Sequence, residues 1–150
     1  MTSEFDELQE LIMADMRKVY TETTIDHAMN PRNLGDMEND DGFGKVTGPC
    51  GDTMEIWLKI KNGVVDEAVF LTDGCGASLA SGSMVTELAN GKTIPEVWKI
   101  SQQSVLNALG GLPEENLHCA LLAADTLKEA IKNYLTFKNE PWKRNYSEHR

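Results

Sequence analysis

Thr72-Asp73-Gly74-Cys75-Gly76-Ala77-Ser78 is the stretch at which the sequence changes from a strand pattern to a helix pattern. Apolar residues predict a strand over 64–71, and small residues predict a helix over 77–89. Cys75 therefore lies at a predicted helix start, where unpaired N–H groups and the positive end of the helix dipole favour a thiolate. The glycines on both sides of it permit a tight turn and leave the sulfur uncovered.

The strand before Cys75 is the second arm of a predicted hairpin. Residues 54–60 alternate between apolar and polar, and Asn62-Gly63 is typical of a type I′ turn. Cys50 precedes the first arm and Cys75 follows the second, so antiparallel pairing places both at the same end of the sheet. Asp52 is two residues from Cys50, and in extended backbone its side chain would point the same way. A short additional strand is predicted at 45–47.

Helices are predicted for most of the remaining chain, over residues 4–19, 25–29, 95–100 and 102–109. A last long helix is predicted to open at Pro113, with His118 and Cys119 in its opening turns, and the acidic segment 35–44 predicts a loop. This order predicts an α+β fold, a small antiparallel three-stranded sheet with helices packed on one face. The predicted organisation is an N-terminal amphipathic helical extension (1–19), a main domain (20–137) and a polar C-terminal tail (138–150).

Composition excludes several classes of protein. The net charge of −10 counts against nucleic acid or an anionic membrane as the main partner. Three cysteines are too few for a disulfide scaffold, and neither an apolar signal core nor a membrane-spanning run is visible. We therefore expect a cytoplasmic protein with reduced thiols.

The chemistry-bearing residues stand at predicted element boundaries. Thiolates and imidazole are soft or borderline metal ligands and carboxylate is a harder one, so the set predicts a metal or cluster site at Cys50, Asp52, Cys75, His118 and Cys119. Free cysteines are often buried as small hydrophobic residues, but two of these stand beside glycines and the third beside a histidine. A purely structural zinc site remains an alternative. His27 is expected to be structural or exposed rather than a ligand.

Several short motifs resemble those of the U-type iron–sulfur cluster scaffolds, the IscU family and the N-terminal domain of NifU. They lie in the family's order and near its spacing, over about residues 20–135. The matching pieces are Ile25-Asp26-His27-x-x-Asn30-Pro31-Arg32-Asn33-x-Gly35, Cys50-Gly51-Asp52, Gly74-Cys75-Gly76-Ala77-Ser78, Gly91-Lys92-Thr93 and Leu117-His118-Cys119-x-x-Leu122-Ala123-x-Asp125.

The resemblance implies a scaffold, rather than an enzyme with its own turnover, on which an iron–sulfur cluster is built and then handed to apo-proteins. [2Fe–2S] is the expected cluster, with [4Fe–4S] as the alternative, and zinc could occupy the site in the isolated protein. Sulfur would arrive as persulfide from a pyridoxal-phosphate cysteine desulfurase. Cys50, Cys75 and Cys119 would hold sulfur and iron, with His118 or Asp52 completing the site. Homodimerisation is left open.

Two of these cysteines, Cys75 and Cys119, are the expected persulfide acceptors, because each lies near a helix start that favours its thiolate. Asp52, as a harder ligand, would hold a cluster less tightly and so help it to leave.

One segment departs from the resemblance. Many relatives carry Leu-Pro-Pro-x-Lys before the His-Cys pair, whereas this chain has Leu112-Pro113-Glu114-Glu115-Asn116, which counts against delivery through a dedicated Hsp70-type chaperone. The alternative function is a zinc-bound sulfur-transfer acceptor for a cysteine desulfurase. Such acceptors have an insertion between the second and third cysteines and lack the histidine, so His118 favours the scaffold.

Overall fold

A hairpin of two long strands lies at the centre of the computed structural model, which describes residues 3–142. Strands β2 (Thr53–Lys61) and β3 (Val64–Thr72) pair antiparallel, and β1 (Gly42–Thr47) pairs antiparallel with the other side of β2. Between β2 and β3, Asn62 and Gly63 have φ of 53° and 73°, the left-handed values that a type I′ turn requires. The predicted hairpin and its turn are confirmed.

The first strand is longer than predicted, because it begins at Gly42, inside the segment predicted as a loop. Glycine serves here to let another element approach closely. A Cβ on Gly42 would lie 2.6 Å from the Ala130 carbonyl oxygen, and one on Gly44 would lie 2.5 Å from the Ala130 nitrogen. The last helix therefore packs directly on the backbone of β1, which a side chain at either glycine would prevent.

The described part of the chain has six α-helices besides this sheet. They are α1 (Glu4–Arg17), α2 (Glu22–Met29), α3 (Gly76–Ala89), α4 (Ile94–Trp98), α5 (Gln102–Leu109) and α6 (Leu117–Asn139). The prediction that Pro113 opens the last helix is wrong: its backbone is extended, a short 3-10 turn follows at Glu114–Asn116, and α6 starts at Leu117. Ser3 and Ser101 cap α1 and α5, their hydroxyls accepting from the N–H groups of Asp6 and Ser104.

Helices α3 and α6 cover the inner face of the sheet and form the core with it. The fully buried side chains include Met54, Ile56, Leu58, Phe70, Val85, Leu127 and Ile131. Leu121 and Leu135 of α6 lie outside this core and are 43% and 38% exposed. The α+β fold with a three-stranded antiparallel sheet is confirmed. None of the described helices is long and apolar enough to cross a bilayer.

Candidate functional site

The end of the sheet nearest Cys75 is tied together by hydrogen bonds between the two arms of the hairpin. The Thr53 N–H donates to Asp73 Oδ1 (2.8 Å), and the Thr72 hydroxyl donates to the Thr53 carbonyl (2.8 Å). The Gly74 N–H in turn donates to the Thr72 hydroxyl (3.1 Å). These bonds fix the start of β2 beside the end of β3. Asp52 directly precedes Thr53, and Cys75 lies three residues after Thr72, so both are brought to the same end of the sheet, as predicted.

Cys50 lies on the tight turn that joins β1 to β2 and is exposed. The turn is closed by the Gly48 N–H, which donates to the Asp52 carbonyl at 2.8 Å, and Gly51 has φ of 86°. The backbone between Cys50 and Asp52 is therefore not extended, and the prediction that alternation points their side chains the same way is wrong. Gly48 lies against Leu122 of α6, so the turn borders the first turns of that helix.

Cys75 is the N-cap residue of α3, as predicted, and is exposed. Burial alone would raise the pKa of its thiol, but the N–H groups of Ser78 and Ala77 and the Ser78 hydroxyl outweigh it, and the pKa lies below the ordinary value of 9.0. Neither N–H forms a capping hydrogen bond of normal geometry with the sulfur, so they act as nearby dipoles. The Cys75 sulfur is therefore accessible to solvent, and its thiolate form is favoured.

Cys119, in the first turn of α6, has the opposite properties. It is fully buried. Burial raises the pKa of its thiol to about 11; the Ser78 hydroxyl acts against this rise, while the charges of Cys75 and Asp52 add to it. The expectation that the helix start favours the Cys119 thiolate is therefore wrong in this conformation, because desolvation outweighs the helix dipole. At neutral pH, Cys119 is therefore a protonated thiol that is shielded from solvent.

Ser78 connects these groups, and sequence reasoning assigned it no role. It is completely buried in the first turn of α3. Its Oγ lies 3.3 Å from Asp52 Oδ2, 3.4 Å from Cys119 Sγ and 3.9 Å from Cys75 Sγ. One signal was available: Cys75 and Ser78 are three residues apart across a helix start, a spacing that places side chains side by side.

His118 and Tyr20 border the same site. The His118 ring nitrogen Nε2 lies 3.7 Å from Cys119 Sγ. The Tyr20 hydroxyl donates to Asn116 Oδ1 at 3.2 Å, and burial, followed by the negative charges of Cys75, Glu115 and Cys119, raises the pKa of this phenol. A cavity of about 210 Å³ opens beside the Cys75 sulfur, lined by Met16, Tyr20, Thr24, Ile25, Ala28, Cys75, Gly76 and Ala77.

Hydrogen bonds and close contacts thus bring together four of the five predicted site residues: Asp52, Cys75, His118 and Cys119. Cys50 stands on the adjacent turn. Within residues 3–142, no three or more His, Cys, Asp or Glu side chains are already arranged to hold one metal ion. His27 is buried and bonded to Ser83 Oγ at 2.7 Å, a structural role as predicted.

Thiols, an imidazole and a carboxylate gathered at one end of a three-stranded sheet define a class of small α+β domain with a donor set suited to a soft metal ion or an iron–sulfur cluster. Within that class the chain belongs to the NifU-like N-terminal domain family, whose model matches residues 19–141. The predicted family is confirmed.

Named relatives agree with this assignment. The iron-sulfur cluster assembly scaffold protein IscU 1 of Archaeoglobus fulgidus is 48% identical over 117 residues, covering 77% of this chain and 76% of that protein. The IscU scaffold protein of Escherichia coli is 42% identical over 120 residues, covering 77% of this chain and 93% of that protein. The N-terminal NifU-like protein of Brucella abortus has the same fold, with a TM-score of 0.64 at 21% identity over 80% of this chain and 96% of that one.

Proposed function

We propose that this chain is a scaffold on which an iron–sulfur cluster is assembled and from which it is transferred to apo-proteins. One observation carries the proposal: an exposed Cys75 shares the Ser78 hydroxyl with Asp52 and with a second, protected cysteine, Cys119. An exposed, reactive sulfur that lies beside a carboxylate and a buried thiol suits a site that binds a cluster and later releases it. The relatives' names as cluster assembly scaffolds support this reading.

Sulfur enters at Cys75 in this proposal, because Cys75 is exposed at a helix N-terminus while Cys119 is buried. The Cys75 thiolate attacks the sulfane sulfur of a persulfide on a cysteine desulfurase. The S–S bond of that persulfide breaks, Cys75 becomes the persulfide, and the desulfurase leaves as thiolate. Cys119 accepts sulfur or iron only after its sulfur has been uncovered.

The proposed cluster ligands are Cys50, Cys75 and Cys119, with Asp52 or His118 in the fourth position. A [2Fe–2S] cluster fits four such ligands, and the oxygen of Asp52 is the hardest donor among them. The test is anaerobic reconstitution with a cysteine desulfurase, cysteine, ferrous iron and a thiol that supplies the electrons for sulfide. We expect sulfide-to-iron charge-transfer absorption that appears on this chain and then moves to an apo-ferredoxin.

The alternative, a zinc-bound sulfur acceptor, predicts a different outcome of the same experiment. Such a protein would carry a persulfide on one cysteine and retain zinc, and no iron-dependent absorption would develop. If no cluster forms and Cys75→Ser changes only the zinc content, the scaffold proposal is abandoned.

Asp52 provides a second test, of cluster release. We predict that Asp52→Ala slows transfer to the apo-ferredoxin by about tenfold, because His118, a softer ligand, then takes the fourth position and holds iron more tightly. Transfer rates are measured by circular dichroism of the acceptor's cluster. Asp66→Ala is the control, because it removes a carboxylate that pairs with Lys61 near the start of β3, at the opposite end of the strand from the site. Unchanged transfer in Asp52→Ala would exclude Asp52 as the labile ligand.

We further propose that residues 1–19 form an extension of this scaffold domain. This proposal is supported by α1, in which no residue is buried. Even its apolar side chains are exposed, namely those of Phe5, Leu8, Leu11 and Ile12. The tail proposed at 138–150 begins within α6, which reaches Asn139, and residues 143–150 lie outside the described part of the chain. The proposal also includes that the protein is cytoplasmic and that its partner is a cysteine desulfurase.

A further inference from the structure

We propose that Ser78 is a positioning residue that holds Asp52 and Cys119 in place beside Cys75 and so sets the metal affinity of the site. The inference deepens the proposed function by naming a further residue of the same site. It requires only that the site bind a metal ion, whether or not a cluster is ever built there.

The first argument is the geometry of the Ser78 hydroxyl. A serine hydroxyl has one hydrogen to donate and two lone pairs. Asp52 Oδ2 at 3.3 Å and Cys119 Sγ at 3.4 Å both lie within reach of that single hydrogen. It can be donated to only one of them at a time, so the hydroxyl is shared between a carboxylate from the β2 side and a sulfur from α6. Ser78, at the start of α3, thus connects the residue that precedes β2 with a residue in the first turn of α6.

The second argument is Gly74, which shows that the chain is shaped around this contact. A Cβ on Gly74 would lie 2.5 Å from Ser78 Oγ and 3.0 Å from Asp52 Oδ2. The φ of Gly74 is not in the left-handed region, so glycine is required here for space and not for backbone freedom. Any other residue at position 74 would push the hydroxyl and the carboxylate out of their present positions.

The third argument is the contrast with Ser81, one turn further along the same helix. Ser81 is equally buried, and its hydroxyl donates to the Ala77 carbonyl at 2.8 Å, the usual arrangement for a serine inside a helix. The Ser78 hydroxyl instead contacts the site residues Asp52, Cys75 and Cys119. Ser78 is therefore placed to orient ligands, whereas the Ser81 hydroxyl only forms a hydrogen bond within its own helix.

Outer residues that orient metal ligands commonly contribute 10- to 100-fold to metal affinity. We expect Ser78→Ala to lower the affinity of the metal-free protein for Zn²⁺ by about tenfold, measured by competition with a chromophoric chelator. With Co²⁺ as the probe, the variant should lose intensity in the sulfur-to-cobalt charge-transfer band, because Cys119 is no longer held toward the ion.

Ser81→Ala is the matched control, since it removes the same atom from the same buried helix, and it should leave affinity and spectrum unchanged. Gly74→Ala is the second variant: it keeps the Ser78 hydroxyl but displaces it, and should also lower the Zn²⁺ affinity. Far-UV circular dichroism and thermal unfolding without metal establish that each variant is folded. Equal Zn²⁺ affinities and Co²⁺ spectra for Ser78→Ala and Ser81→Ala would overturn the proposal, whatever reconstitution with iron and sulfide shows.

Discussion

At the scale of single residues, the three cysteines differ in ways that their sequence contexts do not reveal. Cys75 and Cys119 both stand near helix starts, so local reasoning gives them the same favoured thiolate. The packing of α6 makes the two cysteines different, because it buries Cys119 against Ser78 while Cys75 stays at the surface. Desolvation depends on which elements cover a residue, and no local motif encodes that.

This difference predicts distinct alkylation behaviour in the native, metal-free protein. The thiolate is the reactive form, and the pKa of Cys75 lies below 9.0 while that of Cys119 is raised to about 11. The rate at Cys75 should therefore reach half of its plateau at a pH below 9.0, whereas the slow rate at Cys119 should reach half of its plateau only near pH 11. Iodoacetamide labelling with peptide mass spectrometry measures both rates.

Labelling in denaturant is the control, where the cysteines should react alike. Equal native rates at Cys75 and Cys119 near pH 7.5 would contradict the burial of Cys119. Faster reaction at Cys119 than at Cys75 would in addition reverse the proposed order in which sulfur enters the site.

At the scale of elements, the hairpin was predictable because its information is local. The Asn62-Gly63 turn sets the register of β2 and β3, and that register brings the segments carrying Asp52 and Cys75 together. The start of β1 was not predictable in the same way. Gly42 and Gly44 look like loop residues until α6 is seen to lie on them. Glycine that serves close packing is indistinguishable in sequence from glycine that serves a turn.

The contact between α6 and β1 predicts a large cost for a small substitution. Gly44→Ala would place a methyl group against the Thr126 carbonyl and the Ala130 nitrogen, backbone atoms that cannot move independently. We expect a loss of about 2–3 kcal/mol in the free energy of unfolding, measured by urea titration. Because α6 carries Cys119, the displaced helix should also weaken Zn²⁺ binding.

Gly48→Ala is the matched control for that substitution. Gly48 lies in the turn after β1, and a Cβ there would meet the Leu122 side chain at 3.7 Å, an ordinary contact. Its effect should stay within about 0.5 kcal/mol. A Gly44→Ala protein as stable as Gly48→Ala would show that α6 packs less closely than described.

At the scale of the whole molecule, the site is a junction of three elements that are far apart in sequence. The β1–β2 turn carries Cys50, the start of α3 carries Cys75, and the start of α6 carries Cys119. The order of elements was enough to predict the α+β fold. Boundary positions were enough to predict that Asp52, Cys75 and Cys119 lie close together, while their role as ligands stays a prediction. The contact between Ser78 and Cys119 and the burial of Cys119 could not be predicted, since both depend on how α6 packs against α3.

A metal ion bound at this junction would tie the three elements together, and this predicts a change in global stability. A ligand at 1,000 times its dissociation constant stabilises the folded state by about 4 kcal/mol, which for a protein of this size corresponds to a rise of about 10 °C in Tm. We expect Zn²⁺ to produce such a rise in the wild-type chain and in an Asp66→Asn control, and most of it to be lost in Cys75→Ser. Cys50→Ser is the decisive variant, because Cys50 is placed near the other ligands by its turn and not by a direct contact. If its Zn²⁺-dependent rise equals that of the wild type, Cys50 is not a ligand, and the donor set reduces to Asp52, Cys75, His118 and Cys119.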